Sequence, residues 1–208
     1  ERASNRPDLA DYRDLCQNLN GDWINAAGGS RGMINPLQVR PSPRDDEDEK
    51  EEFRLYRDES YGMNEPCDDQ LCELAMHMKN LEIFFSLYIP SLTDMQKAVL
   101  KKCLVELYQK FHITWDTDIT KLKPQDFPIF SDLYALVQEK TKTEKENQVY
   151  TDLAMLLYDI AEGADSFIWN GHTTVSGNSR FTVMDTHALQ ETGDNIKRTQ
   201  YFNILTYD

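Results

Sequence analysis

"SRFTVMDTHALQETGDNIKRTQYFNILTYD" (residues 179–208) closes the chain. It reads as a strand from Phe181 to Met184 ending in Asp185, then a polar loop, then an amphipathic helix cut short at the last residue. That order of strand, acidic end and helix is common in nucleotide-handling α/β cores. Such a core also carries a phosphate-binding loop, and no glycine-rich loop followed by Lys and Ser or Thr occurs anywhere in the sequence.

Working outward, "DSFIWNGHTTVSGNSRFTVMD" (residues 165–185) places a short apolar segment and a Gly-rich turn before that strand. Upstream of Gly163 the pattern is helical. Leu71, Leu74, Ala75, Met78, Leu81, Phe85 and Tyr88 recur at helical spacing, with Asp68 and Asp69 in the favourable first turn and Pro90 as a stop. Thr93 to Gln96 is a capping box opening a second helix with Met95, Val99, Cys103, Leu107 and Phe111 on one side. A third helix takes Pro128 in its first turn and turns Ile129, Leu133, Leu136 and Val137 inward. A Thr143 to Glu146 capping box then opens a fourth, bearing Val149, Leu153, Leu156, Leu157 and Ile160 and stopping near Gly163. Four such helices with short links predict a small bundle.

The opening of the chain carries turn chemistry instead of periodicity. "ADYRDLCQNL" (residues 10–19) predicts a short helix, "DWINA" (residues 22–26) a short strand, and "AGGSRGMINPLQVRP" (residues 27–41) a glycine turn returning into a second strand. The order is therefore sheet edge, helical insert, sheet edge. Between the first edge and the helices, residues 45–74 hold thirteen acids against three bases, a run that reads as solvated surface.

At 208 residues, with 40% hydrophobic and 11% aromatic content, the chain is long and apolar enough to bury its own core. The net charge of -14 argues against a surface that grips a phosphate backbone, so no direct nucleic-acid binding is expected. Cys16, Cys67, Cys72 and Cys103 have neither metal-site nor disulfide-framework spacing, which fits reduced thiols in a cytoplasmic protein. No apolar run approaches the roughly 20 residues that span a bilayer.

Four blocks in order resemble a known family: "DYRDLCQNLNGDWINAAGGSRGMINPLQVRP" (residues 11–41), "LKPQDFPIFSDLYALV" (residues 122–137), "YTDLAMLLYDIAEGADSFIWNGHTTV" (residues 150–175) and, above all, residues 179–207. They are similar to the conjugative-transfer and type IV secretion ATPases of the TraC/TrbE type, equivalent to the fourth VirB component. The resemblance implies a central part of the C-terminal ATPase domain, between the phosphate-binding loop and the acidic strand that positions Mg and water. It also implies a helical subdomain inserted in a RecA-like core. One departure stands out: "ERASNRPDLAD" (residues 1–11) supplies no apolar strand before the first helix.

On this reading the fold is mainly α with short β segments, a helical bundle set into part of a RecA-like α/β core. Residues 1–44 form a sheet-edge segment, 45–65 an acidic linker, 66–163 the bundle and 164–208 the return to the core. ATP and Mg belong to the parent family and no cofactor is expected in this chain. Other secretion-system proteins and further copies of the parent are the expected partners, at the inner face of the cell membrane. Lys197, Arg198 and Gln200 are the candidate charged and polar contacts, because an arginine at a subunit edge can stabilise charge on a neighbour's phosphate. The plainer reading is a solvent-facing basic pair partly matched by Asp194.

Other constellations are weaker. Asp185 and His187, with His172, lack the third and fourth ligands of a zinc site, so structural roles are expected. The Gly28 to Gly32 turn offers backbone amides to an anion but no following Lys and Ser or Thr, which favours a turn between strands. Ile34 to Pro36 is expected near the parent's core. A stand-alone acidic helical interaction module is the alternative to an ATPase part.

Overall fold

The computed structural model describes residues 9–29, 32–41, 69–143, 148–175 and 181–207. Helix α1 (Leu9–Asn18) leads into strand β1 (Asp22–Asn25). The helix stops because Asn20 takes a left-handed φ of 51°. Asn20 N–H then donates to the Gln17 carbonyl at 3.0 Å and Gly21 N–H to that of Cys16 at 2.8 Å, a Schellman ending. The next amide, that of Asp22, already bonds the Phe181 carbonyl at 2.9 Å, so helix and strand meet within a few residues. A Cβ on Gly21 would sit 2.6 Å from that carbonyl, which explains glycine at the junction.

Strand β1 pairs in parallel with a strand near the other end of the chain, Thr182–Asp185, with Ile24 opposite Met184 and Asn25 opposite Asp185. Parallel neighbours need a crossover. Here the crossover holds most of the helices: α2 (Asp69–Tyr88), α3 (Asp94–Lys110), α4 (Phe130–Thr143), α5 (Gln148–Ala161) and the short α6 (Ser166–Trp169). Strand β2 (Thr182–Asp185) is followed by a 3-10 turn at His187–Glu191 and by α7 (Asp194–Leu205).

The Thr93 capping box is present in full, the Thr93 hydroxyl accepting from Gln96 N–H at 3.3 Å and Gln96 Oε1 from Thr93 N–H at 2.9 Å. Helix α3 ends as α1 does: His112 has φ 59°, Ile113 N–H reaches the Tyr108 carbonyl and His112 N–H that of Gln109. Helices α4 and α5 pack along each other, and Tyr134 meets Tyr158 edge-on at 6.3 Å.

The core is continuous from Leu37 and Val39 through α2 to α5 and on to Ile168 and Trp169. At its centre Phe84 stacks on Phe130 at 5.8 Å and takes Trp169 edge-on at 5.4 Å, and Tyr88 meets Trp169 at 5.2 Å. Such aromatic pairs favour offset and edge-on geometry. Ile196 and Phe202 of α7 pack onto the same core. Helix α2 leans more on α7 than on its sequence neighbour α3.

Several expectations require correction. Among the described residues no second strand follows the glycine turn: Met33 and Asn35 give their amides to the hydroxyls of Thr174 and Thr173 at 3.2 and 3.0 Å, and Asn35 with Pro36 turns the chain. Side-chain oxygens thus take the place of a neighbouring strand, and Pro36 has no amide to offer one. Ala75 and Met95 face solvent, while Leu100, Leu104 and Tyr108 are inside. Pro128 precedes α4, whose first turn is closed by Asp132 accepting from Ile129 N–H at 2.9 Å. Thr143 is the last residue of α4 and its hydroxyl donates to the Glu139 carbonyl; Glu146 lies outside the described residues, as do Asp68, Cys67 and the acidic linker. No described helix is long and apolar enough to cross a membrane.

Candidate functional site

In open parallel sheets ligands collect at the carboxyl ends of the strands. Here those ends are Asn25 and Asp185, held level by Ala26 N–H donating to the Asp185 carbonyl at 2.9 Å. Each side chain folds back on its own backbone: Asn25 Oδ1 accepts from Ala27 N–H at 3.0 Å, and Asp185 Oδ1 from His187 N–H at 2.9 Å. Asp185 and His187 therefore build a local turn, and no group of three or more His, Cys, Asp or Glu able to hold a metal occurs among the described residues. His172 stands apart from that turn, with a buried Nδ1 that finds no hydrogen-bond partner among the described residues.

The glycine turn leaves β1 through Gly28 and Gly29, at φ 96° and 85°. Gly29 N–H is occupied by the Phe167 carbonyl at 3.0 Å, and a Cβ on Gly28 would press within 2.4 Å of the same oxygen. Close packing against α6 thus uses this part of the turn; Ser30 and Arg31 lie outside the described residues.

The three residues singled out on α7 separate. Lys197 pairs with Asp194 at 3.1 Å, and Arg198 points to solvent. Gln200 is fully buried. Its Oε1 accepts from Trp169 Nε1 at 2.5 Å and its Nε2 donates to the Ala26 carbonyl at 2.6 Å. It thereby fastens α7 to both the end of β1 and the aromatic centre. Asn203, one turn on, donates to the Ile34 carbonyl at 3.1 Å. Ile34 and Asn35 are buried beside it, and Asn35 Nδ2 reaches the Pro128 carbonyl at 2.9 Å, so the Ile34 to Pro36 turn sits where α4 and α7 approach the strand pair.

A second concavity, missed in the sequence, lies between residues 35–41, α2 and α7. It is a cleft of about 200 Å³ whose polar lining includes Gln38, Arg40, Glu73, His77 and Asn203. Tyr108 donates its single hydroxyl hydrogen to the Leu37 carbonyl at 2.7 Å, so the 3.0 Å contact with His77 Nε2 makes that nitrogen the donor. Desolvation of the ring, reinforced by the Arg40 charge, lowers the His77 pKa from 6.5 to about 3. Arg40 lies flat on the Tyr207 ring at 3.5 Å and donates to the Tyr207 carbonyl at 3.3 Å, closing the end of α7. The single His on α2 carried no sequence signal, because its partners Tyr108 and Arg40 are distant in the chain.

No protein-family model and no curated protein matches the chain. The solved structure of VirB4 of Thermoanaerobacter pseudethanolicus is similar, at 39% identity and a TM-score of 0.76, over 96% of this chain and 46% of that one. The chain thus spans less than half the length of that relative. Likeness in sequence and in fold over 96% of the chain supports the type IV secretion ATPase family for it.

Proposed function

We propose that the chain is the middle part of a type IV secretion or conjugation ATPase of the TraC/TrbE type, lying between its phosphate-binding loop and its acidic Mg-positioning strand. Its helices form a subdomain inserted into a RecA-like core, to which β1, β2 and α7 contribute an edge. The parent binds ATP with Mg and couples hydrolysis to assembly and to transfer of DNA or protein. It works as an oligomer with other secretion-system proteins at the cytoplasmic face of the membrane. The chain by itself does not hydrolyse ATP, because it brings neither the amides and lysine that hold phosphates nor the carboxylates that hold Mg.

The observation that carries this reading is the 39% identity and TM-score of 0.76 with VirB4 over 96% of the chain. The parallel strand pair adds support: adjacent parallel strands joined through a block of helices are what an insertion into an α/β core leaves behind. The test is calorimetric titration of the chain at about 50 micromolar with Mg-ATP and Mg-ADP, which detects binding down to roughly millimolar strength. No saturable heat is expected. Saturable binding would place a nucleotide site within this chain and overturn the division of labour proposed.

A further inference from the structure

The outward face of the α4 and α5 pair carries a shallow groove of about 440 Å³ lined by Tyr134, Gln138, Thr141, Ala154, Met155 and Tyr158. Met155 is 72% exposed and Tyr158 48%, large apolar side chains on a helix whose opposite face is fully committed to the core. Neither tyrosine hydroxyl has a hydrogen-bond partner among the described residues, although their rings are fixed edge-on to each other at 6.3 Å. Adaptable methionine beside rigid, amphipathic tyrosine is the composition of binding surfaces.

The charge beside the groove has one dominant sign. On α5, Asp152 and Asp159 flank Met155 at three and four positions, and Glu162 follows one turn beyond Tyr158, so they share its outer face. Helix α5 itself contains no base. Lys142, at the far end of α4, is the one exposed base beside the groove among the described residues, since Lys140 is turned to Glu106 at 2.9 Å.

We infer that this groove is a docking surface for a basic amphipathic helix of a partner protein. Its apolar stripe lies on Met155, Ala154 and the two tyrosines, and its Lys or Arg side chains meet Asp152, Asp159 and Glu162. A groove between two packed helices accepts a third at the usual interhelical spacing of about 8 to 10 Å, and opposite charge along one rim sets the direction in which it lies. The net charge of -14 disfavours a second copy of this chain as the occupant, since two acidic rims would face each other.

The test titrates the whole chain with a synthetic leucine and lysine peptide, apolar at helical spacing, and with its leucine and glutamate counterpart, following backbone amide shifts and anisotropy. The basic peptide is expected to bind, with shifts centred on α4 and α5, and the acidic one is not. Met155→Ser with Tyr158→Ser should weaken binding by about tenfold or more, and Asp152→Lys with Asp159→Lys similarly, whereas Met95→Ser on α3 leaves it unchanged. Met95, Met155, Tyr158 and Asp159 are exposed and Asp152 is half-buried, and far-ultraviolet circular dichroism verifies that each variant is folded. The inference is overturned if the basic peptide fails to bind. Equal weakening by Met95→Ser would also overturn it, because attraction is then spread over the whole acidic surface. Self-association of the chain that Tyr158→Ser abolishes would assign the groove to a second copy instead.

Discussion

Gln200 shows how far a residue's role can lie from its local sequence context. In "NIKRTQYF" it follows two cations and reads as their polar neighbour, yet it is fully buried while Arg198 faces water. Its partners, Trp169 and the Ala26 carbonyl, come from α6 and from the end of β1, so nothing within a helical turn marks it. Gln200→Leu strands a buried indole N–H and a buried carbonyl, and stability to urea is expected to fall by about 2 to 4 kcal/mol. Arg198→Ala should change it by less than about 0.5 kcal/mol. Similar losses from the two variants would remove the distinction. His77 offers a second reading at this scale. Its folded pKa of about 3 lies below the ordinary 6.5, so the neutral ring contributes stability that is complete above about pH 6.5 and drains away as pH falls toward 3. Arg40 and Tyr108 act on it directly, and Glu73, one turn back on α2, lines the same cleft. Unfolding measured between about pH 6 and pH 4 should steepen by up to roughly 1.4 kcal/mol per pH unit relative to His77→Gln. Parallel profiles for the two proteins would show that the ring titrates normally.

Among the elements, two stops and one start are legible: Pro90 follows the end of α2 at Tyr88, and Gly163 the end of α5 at Ala161. Thr93 and Gln96 announce the head of α3 in four residues, and both reciprocal bonds form. Thr93→Ala should cost about 1 kcal/mol in chemical denaturation, and an unchanged midpoint would mean that water caps the helix as well. The ends of α1 and α3 are legible to within a residue or so although no glycine marks them; Asn20 and His112 take the left-handed position instead. Helix existence came from periodicity, but the buried face of α3 did not. A ladder of Met95, Val99, Cys103, Leu107 and Phe111 advances four residues at a time, and with 3.6 residues per turn it winds about 40° per step around the helix. Its first member consequently emerges into solvent at 62% exposure, while Leu100, Leu104 and Tyr108 complete the inner face. The missing second strand has a different cause. Thr173 and Thr174, far along the chain, satisfy the amides that a strand would have offered to a neighbour.

For the whole molecule, the alternation of sheet edge, helices and sheet edge is visible in the sequence, and β1 and β2 pair in parallel across it. What sequence could not give is how the helices divide their contacts. Helix α2 packs chiefly on α7, and one core joins Leu37 to Trp169. A polypeptide of residues 66–163 alone would leave α2 without that partner. It is expected to unfold with low cooperativity and to bind a hydrophobic dye, where the whole chain unfolds in one sharp transition. A sharp transition in the shorter piece would show an autonomous bundle and favour the interaction-module reading. The candidate site was legible in its strand end, through Asp185, and illegible in its polar fastening, because hydrogen bonds between distant elements leave no periodic trace.

The parallel pairing of Asp22 with Thr182 also sets an order of events during synthesis. Closing so long a loop carries an entropic cost of about 4.5 kcal/mol on top of the constant common to all closures, which a ladder of four residue pairs at about 1 kcal/mol per hydrogen bond does not offset alone. Once made, strand β1 must wait until every residue between it and β2 has followed. The helices between therefore dock first and bring the two strands within reach, so that the strand pair closes only after the helices it encloses.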